Sequence, residues 1–129
     1  MKRKKIVVID DDPHFVEQFQ EMLTLSGYDT ECFTDPNRAL TKINDIKPNL
    51  LLVDLKMDER SGTEILEEIR RTEDIKETPA IIITGFANEA DEDYLLNTLK
   101  VRRCLKKPVK PLNIIDEIEH VFNDINHSH

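Results

Sequence analysis

Asn49-Leu50-Leu51-Leu52-Val53-Asp54-Leu55-Lys56-Met57-Asp58 decides the architecture of this chain. Four consecutive apolar residues, Leu50 to Val53, run without alternation into a carboxylate. Continuous apolar character suits a strand covered on both faces, as in the centre of a parallel sheet. Ligands of open parallel sheets bind just beyond the carboxyl ends of the strands. Asp54 stands at such an end.

Working outward, Ile6-Val7-Val8-Ile9 is a second such run, β-branched throughout, and it too ends on acid, Asp10-Asp11-Asp12. Pro13 behind Asp12 is a helix start, the aspartate capping and the proline at the first helical position. Phe15, Phe19, Met22 and Leu23 share a helical face, and Gly27 ends the helix as a left-handed cap. Residues 28–33 read as a mixed strand nearer the sheet edge. Asp35-Pro36 repeats the start signal for a helix carrying Ala39, Leu40, Ile43 and Ile46, which Pro48 closes. After Asp54, Gly62 turns the chain into a helix with Ile65, Leu66 and Ile69. Charged residues 70–77 read as a solvated exit. Pro79 opens a fourth strand, 80–84, which ends on Thr84. A helix from Asn88 or Glu89 to about Leu99 carries Tyr94, Leu95 and Leu99, and its acidic start suits the helix dipole. A short fifth strand spans 102–106. Lys107-Pro108 and Pro111 lead into a last helix with Leu112, Ile115, Ile118, Val121, Phe122 and Ile125 as its apolar positions. Strands alternating with helices predict an α/β fold, a doubly wound five-stranded parallel sheet of (βα)5 type.

Composition narrows the function. At 129 residues the chain makes one domain, expected over residues 1–125 with a polar tail at 126–129. A net charge of −8 argues against direct nucleic-acid binding, which needs a basic patch. The run Lys2-Arg3-Lys4-Lys5 reads as a solvated approach to the first strand. Cys32 and Cys104 lack C-x-x-C spacing and read as reduced core thiols of an intracellular protein. No apolar run reaches membrane-spanning length and the N-terminus has no signal-peptide core, so a cytoplasmic location is expected. Only three glycines are present, in no dinucleotide or P-loop pattern. His14, His120, His127 and His129 lack metal-ligand spacing and read as surface residues.

In such a sheet all strand ends emerge on one edge, so Asp10, Asp11, Asp54, Thr84 and Lys107 should converge. Crowded carboxylates repel one another. A hard divalent cation relieves this, and an oxygen-only ligand set favours Mg²⁺. Lysine adds compensating charge, and a threonine hydroxyl can donate to a phosphoryl oxygen. Asp54 is then a candidate nucleophile of the aspartyl-phosphate kind. A lone strand-end aspartate is more often a cap or turn residue. Chemically coherent residues at four equivalent strand ends outweigh that reading.

Ile6-Val7-Val8-Ile9-Asp10-Asp11-Asp12-Pro13, Leu51-Leu52-Val53-Asp54, Ile82-Ile83-Thr84-Gly85 and Leu105-Lys106-Lys107-Pro108, in this order, resemble a response-regulator receiver domain of two-component signalling across essentially the whole chain. The resemblance implies a flavodoxin-like sheet of order 2-1-3-4-5. It implies phosphoryl transfer to Asp54 from a histidine kinase or histidine phosphotransfer protein. Asp11, Asp54 and the Lys56 carbonyl would bind Mg²⁺, with Asp10 acting through water. Thr84 and Lys107 would contact the phosphoryl oxygens, and the Lys107-Pro108 bond would be cis. A downstream effector or output domain would read the face of the fourth helix, fifth strand and fifth helix. Tyr94, Leu95 and residues 112–115 are expected there. The donor would dock near His14, Phe15 and residues 109–111. The resemblance also admits a phosphorylation-dependent homodimer. Catalysis is limited to the protein's own phosphorylation and dephosphorylation.

The chain departs from the family pattern at several positions. Asp58 replaces a usual proline, which predicts a more mobile and more acidic loop. Cys104 replaces a usual Tyr or Phe whose ring turns inward on activation, and Lys100-Val101 replaces a usual Gly-Ala. Lys56 and Phe86 flank the line of water attack and predict slow self-dephosphorylation. Three rival readings follow: a pseudo-receiver that only binds partners, an aspartate-nucleophile phosphatase using Asp10-x-Asp12, and a redox role for the Cys104 thiol.

Overall fold

The computed structural model describes residues 3–85 and 88–127. The elements are β1 (Lys5–Ile9), α1 (Pro13–Leu25), β2 (Asp29–Phe33), α2 (Pro36–Ile46), β3 (Leu50–Val53), α3 (Gly62–Arg70), β4 (Ala80–Thr84), α4 (Glu89–Asp93), a π-helical turn (Tyr94–Thr98), β5 (Arg103–Lys106) and α5 (Pro111–His127). All strand pairs are parallel, in the expected order β2-β1-β3-β4-β5. The chain reverses direction across the sheet between β1 and β3, and that switch point opens the crevice where ligands bind.

Side-chain alternation explains the unbroken apolar runs. Ile6, Val8, Leu50, Leu52, Ile81 and Ile83 pack with Val16, Phe19 and Leu23 of α1 and Ile114, Ile118 and Phe122 of α5. Val7, Ile9, Leu51, Val53 and Ile82 point the other way, against Ala39 and Ile43 of α2, Ile65, Leu66 and Ile69 of α3, and Leu95 and Leu99. Every residue of β3 is therefore buried. Each such side chain contributes about 2 kcal/mol relative to exposure. A charge at Leu52, which is 2% exposed, would break this layer. The outer strands β2 and β5 are only half-buried, as edge strands should be.

Local signals act as read. Asp12 Oδ1 accepts from the N–H groups of His14 (3.0 Å) and Phe15 (3.4 Å), and Pro13 follows it. Asp35 caps α2 in the same way through Asn37 N–H at 2.9 Å. Gly27, at φ 96°, takes the left-handed conformation that ends α1. Lys4 of the basic run packs its ammonium over the Phe122 ring, 5.0 Å from the centroid; Lys2 lies outside the described residues.

Three expectations need correction. The fourth helix does not run uniformly to Leu99: α4 stops at Asp93 and a π-turn follows, closed by Leu99 N–H on the Tyr94 carbonyl at 3.0 Å. Leu112, expected in the α5 core stripe, is 75% exposed, and Ile114 takes that place. Leu112 lies in the first turn of α5, where the helix has only begun to cover the sheet. Leu95, expected on a partner-binding surface, is fully buried in the α3-side core, and Leu96 is the exposed neighbour. The last helix continues through His127, while Phe86 and His129 lie outside the described residues.

Candidate phosphoryl and cation site

The parallel ladders continue past the strands and place the site. Asp10 N–H donates to the Phe33 carbonyl at 3.1 Å and Asp54 N–H to the Ile9 carbonyl at 3.0 Å. Ile9 pairs with Val53, so Asp10 and Asp54 emerge side by side. On the far flank, Thr84 pairs with Lys106, and Lys107 N–H donates to the Thr84 carbonyl at 2.8 Å. The Lys107-Pro108 bond is cis, as expected from the resemblance. All five strand-end residues named from the sequence thus stand on one edge of the sheet.

The side chains form a buried ionic cluster. Asp10 and Thr84 are each 2% exposed. Lys107 Nζ donates to Asp10 Oδ2 at 2.8 Å and lies 3.5 Å from Asp54 Oδ2. Asp10 Oδ1 accepts from Asp12 N–H at 3.0 Å. Burial raises the Asp10 carboxyl above its ordinary range; the Lys107 and Asp12 hydrogen bonds only partly offset this, and the Asp54 charge adds to it. Burial alone would lower Lys107, but its hydrogen bond to Asp10 and the charges of Asp10 and Asp54 win, so its ammonium is held above the usual range. Cys32 and Cys104 lie on the edge strands β2 and β5, and desolvation pushes both up to about 11, which works against a reactive thiolate.

Carboxylate oxygens of Asp10, Asp11 and Asp54 all lie within 4.8 Å of one another. Among the described residues, Asp54 Oδ1 is the buried side-chain atom that has no hydrogen-bond partner. An orphaned carboxylate oxygen facing two further acids is a poor arrangement for an unliganded protein and a good one for a hard cation. The residues therefore fit Mg²⁺. Asp11 Oδ2 accepts from Asp58 N–H at 3.0 Å. That bond joins the loop after β3 to the loop after β1.

Two features escaped the sequence reading. In the loop after Asp54, Asp58 N–H donates to Asp11 Oδ2, a donor that any residue but proline supplies. Leu55 and Met57 are also buried on either side of exposed Lys56, and Gly62 N–H donates to the Leu55 carbonyl at 2.7 Å. The Phe15 ring, read as part of a helix face, stands over the Lys107 ammonium at 4.1 Å from its centroid. No local pattern marks either relationship. Asp12 is engaged as the α1 cap, which removes the second carboxylate of an Asp10-x-Asp12 phosphatase site. An opening of about 740 Å³ between Arg70, Lys76, Lys100 and Arg102 lies at the opposite edge of the sheet and takes no part. His14 and His120 are exposed.

This geometry has known counterparts. Residues 6–119 match the response regulator receiver domain family. The chain belongs to that family. Proteins similar to it include the polar-differentiation response regulator DivK of Brucella anthropi, 24% identical over 94% of this chain and 98% of that protein. A CheY-like response regulator receiver domain protein from Methanospirillum hungatei is 26% identical, with a TM-score of 0.91 over 99% of this chain and 100% of the other. The chemotaxis protein CheY4 of Vibrio cholerae shares the fold at 21% identity, with a TM-score of 0.86 over 93% and 99% of the two chains. The protein is thus the receiver domain of a two-component response regulator, a signalling module. Among its described residues no helix is long and apolar enough to cross a membrane.

Proposed function

We propose that this receiver domain accepts a phosphoryl group on Asp54 from the phosphohistidine of a histidine kinase or histidine phosphotransfer protein, with Mg²⁺ bound beside it. The observation that carries this reading is the unpartnered Asp54 Oδ1, buried among Asp10, Asp11 and Lys107. Asp11, Asp54 and the Lys56 carbonyl would hold the cation, with Asp10 acting through water. The cation supplies charge neutralisation for the incoming phosphoryl oxygens. Asp54 attacks phosphorus, the P–N bond to the donor imidazole breaks, and its electron pair stays on that nitrogen. Lys107 exchanges its Asp54 contact for a phosphoryl oxygen, and Thr84 donates to another.

Transfer would shift a two-state equilibrium at the α4–β5–α5 face, where an effector binds. With Leu95 buried, exposed Leu96 and Leu112 are the apolar residues available there. Residues 1–125 make up the proposed receiver domain, and a cytoplasmic location accords with its partners. Exposed Lys56 beside the acceptor supports slow self-dephosphorylation.

The test is acetyl phosphate with Mg²⁺, read by intact mass and site mapping. One phosphoryl group on Asp54, absent without Mg²⁺ and in Asp54→Asn, is expected. Labelling of Asp10 overturns the assignment, and no Mg²⁺-dependent labelling favours a receiver that only binds partners.

A further inference from the structure

Phe15 is the third residue of α1. Its ring packs against Phe19, 4.3 Å between centroids at 40°. Phe19 is 3% exposed and belongs to the core beneath α1, so Phe15 is buttressed from below. On its other side the ring lies 4.1 Å from Lys107 Nζ. An ammonium has three N–H donors. One of them serves Asp10 Oδ2 at 2.8 Å, and the group also lies 3.5 Å from Asp54 Oδ2. The Phe15 ring stands over a further side of the group. The negative face of its quadrupole compensates the lost hydration. Val8, Leu52 and Ile83, on the same face of the sheet as Phe19, line a narrow apolar gap beside Phe15, Asp10 and Asp54.

We propose that Phe15 is a positioning residue for phosphoryl binding, its ring holding the Lys107 ammonium over the Asp10–Asp54 pair in a form free to move onto a phosphoryl oxygen. This rests on the reading of Asp54 as phosphoacceptor. The physical reason is a difference in directionality. A hydrogen bond weakens steeply with angle. Attraction to a ring face is electrostatic and extends over about 6 Å from the centroid. Lys107 therefore keeps the ring as it leaves one oxygen for another, a few ångströms away. An aliphatic side chain of similar bulk fills the same space and supplies no quadrupole.

The experiment measures beryllofluoride affinity in saturating Mg²⁺ by amide shifts, for wild type, Phe15→Tyr and Phe15→Leu. Mg²⁺ affinity without beryllofluoride is measured alongside. Phe15→Leu is expected to bind beryllofluoride roughly fivefold more weakly, matching a contact of about 1 kcal/mol. Phe15→Tyr keeps the ring face and is expected within about twofold of wild type, and all three should bind Mg²⁺ within about twofold of one another. Phe15→Leu equal to wild type overturns the proposal. So does equal weakening by Tyr and Leu, which would mean shape and not the ring face, or a matching loss of Mg²⁺ affinity in Phe15→Leu, which would mean a collapsed site. Wild type that binds Mg²⁺ but no beryllofluoride fails at the phosphoacceptor reading itself, and is distinguished by that.

Discussion

The backbone N–H of Asp58 donates to the carboxylate of Asp11 across 47 residues of sequence, at 3.0 Å. It joins the loop after β3 to the loop after β1, and both loops carry proposed cation ligands. Asp58→Pro deletes this donor, since proline has no N–H. Mg²⁺ affinity, titrated calorimetrically, is expected to fall roughly tenfold, the equivalent of about 1.4 kcal/mol for a hydrogen bond to a charged group. Asp58→Ala retains the N–H and should bind Mg²⁺ close to wild type. Equal weakening by Ala and Pro would place the effect in the side chain instead.

Gly62 opens α3 directly against the acceptor's backbone. A Cβ there would lie 2.2 Å from the Asp54 carbonyl oxygen, 2.9 Å from its carbonyl carbon and 3.0 Å from Leu55 Cα. All three atoms are backbone and cannot rotate aside. Gly62→Ala is expected to cost about 3 kcal/mol in urea unfolding and to reduce phosphoryl labelling of Asp54. A loss under about 0.5 kcal/mol, the usual range of surface changes, would show that the loop simply yields.

Asp10 sets a pH dependence whose sign follows from its raised carboxyl. A group with a folded pKa above its unfolded value of 3.8 favours the fold most below 3.8 and loses that contribution as pH rises through the raised value. In cation-free protein at neutral pH, ionised Asp10 therefore works against folding. Asp10→Asn should raise the cation-free Tm at pH 7 by a few degrees. The gain over wild type should shrink toward zero as pH approaches 3.8. Mg²⁺ should stabilise wild type and shift Asp10→Asn less. A lower Tm for Asp10→Asn at pH 7 would mean that its hydrogen bonds outweigh its burial.

Both thiols should be inert at ordinary pH. With Cys32 and Cys104 pushed up to about 11 by burial, only about one thiol in a thousand is thiolate at pH 8. Iodoacetamide labelling of native protein is expected to be far slower than in urea and to accelerate toward pH 11. Fast labelling of Cys104 alone at pH 8 would revive a redox role for it.

Much of this was legible in the chain. The runs 6–9 and 50–53 announce buried strands because β-strands covered on both faces need apolar residues at every position. Asp12-Pro13 and Asp35-Pro36 announce helix starts because capping chemistry is local. The strand-end positions of Asp10, Asp54, Thr84 and Lys107 follow from the parallel topology alone. The α4 region read less well: no side-chain pattern separates an α-turn from a π-turn when Tyr94, Leu95 and Leu99 fit either. Leu112 misled because an apolar residue at helical spacing is buried only if a neighbour covers it.

What the sequence determined by itself is the set of chemical groups, the order of strands and helices, and the edge on which Asp54 must emerge. These depend on periodicity and on propensities that act within a few residues. The tertiary structure alone decided which oxygen of Asp54 is left without a partner, that Asp58 N–H holds Asp11, and that Phe15 covers Lys107. These contacts join residues tens of positions apart. They depend on register and side-chain direction to within about an ångström, the scale on which hydrogen bonds and ion pairs form or fail.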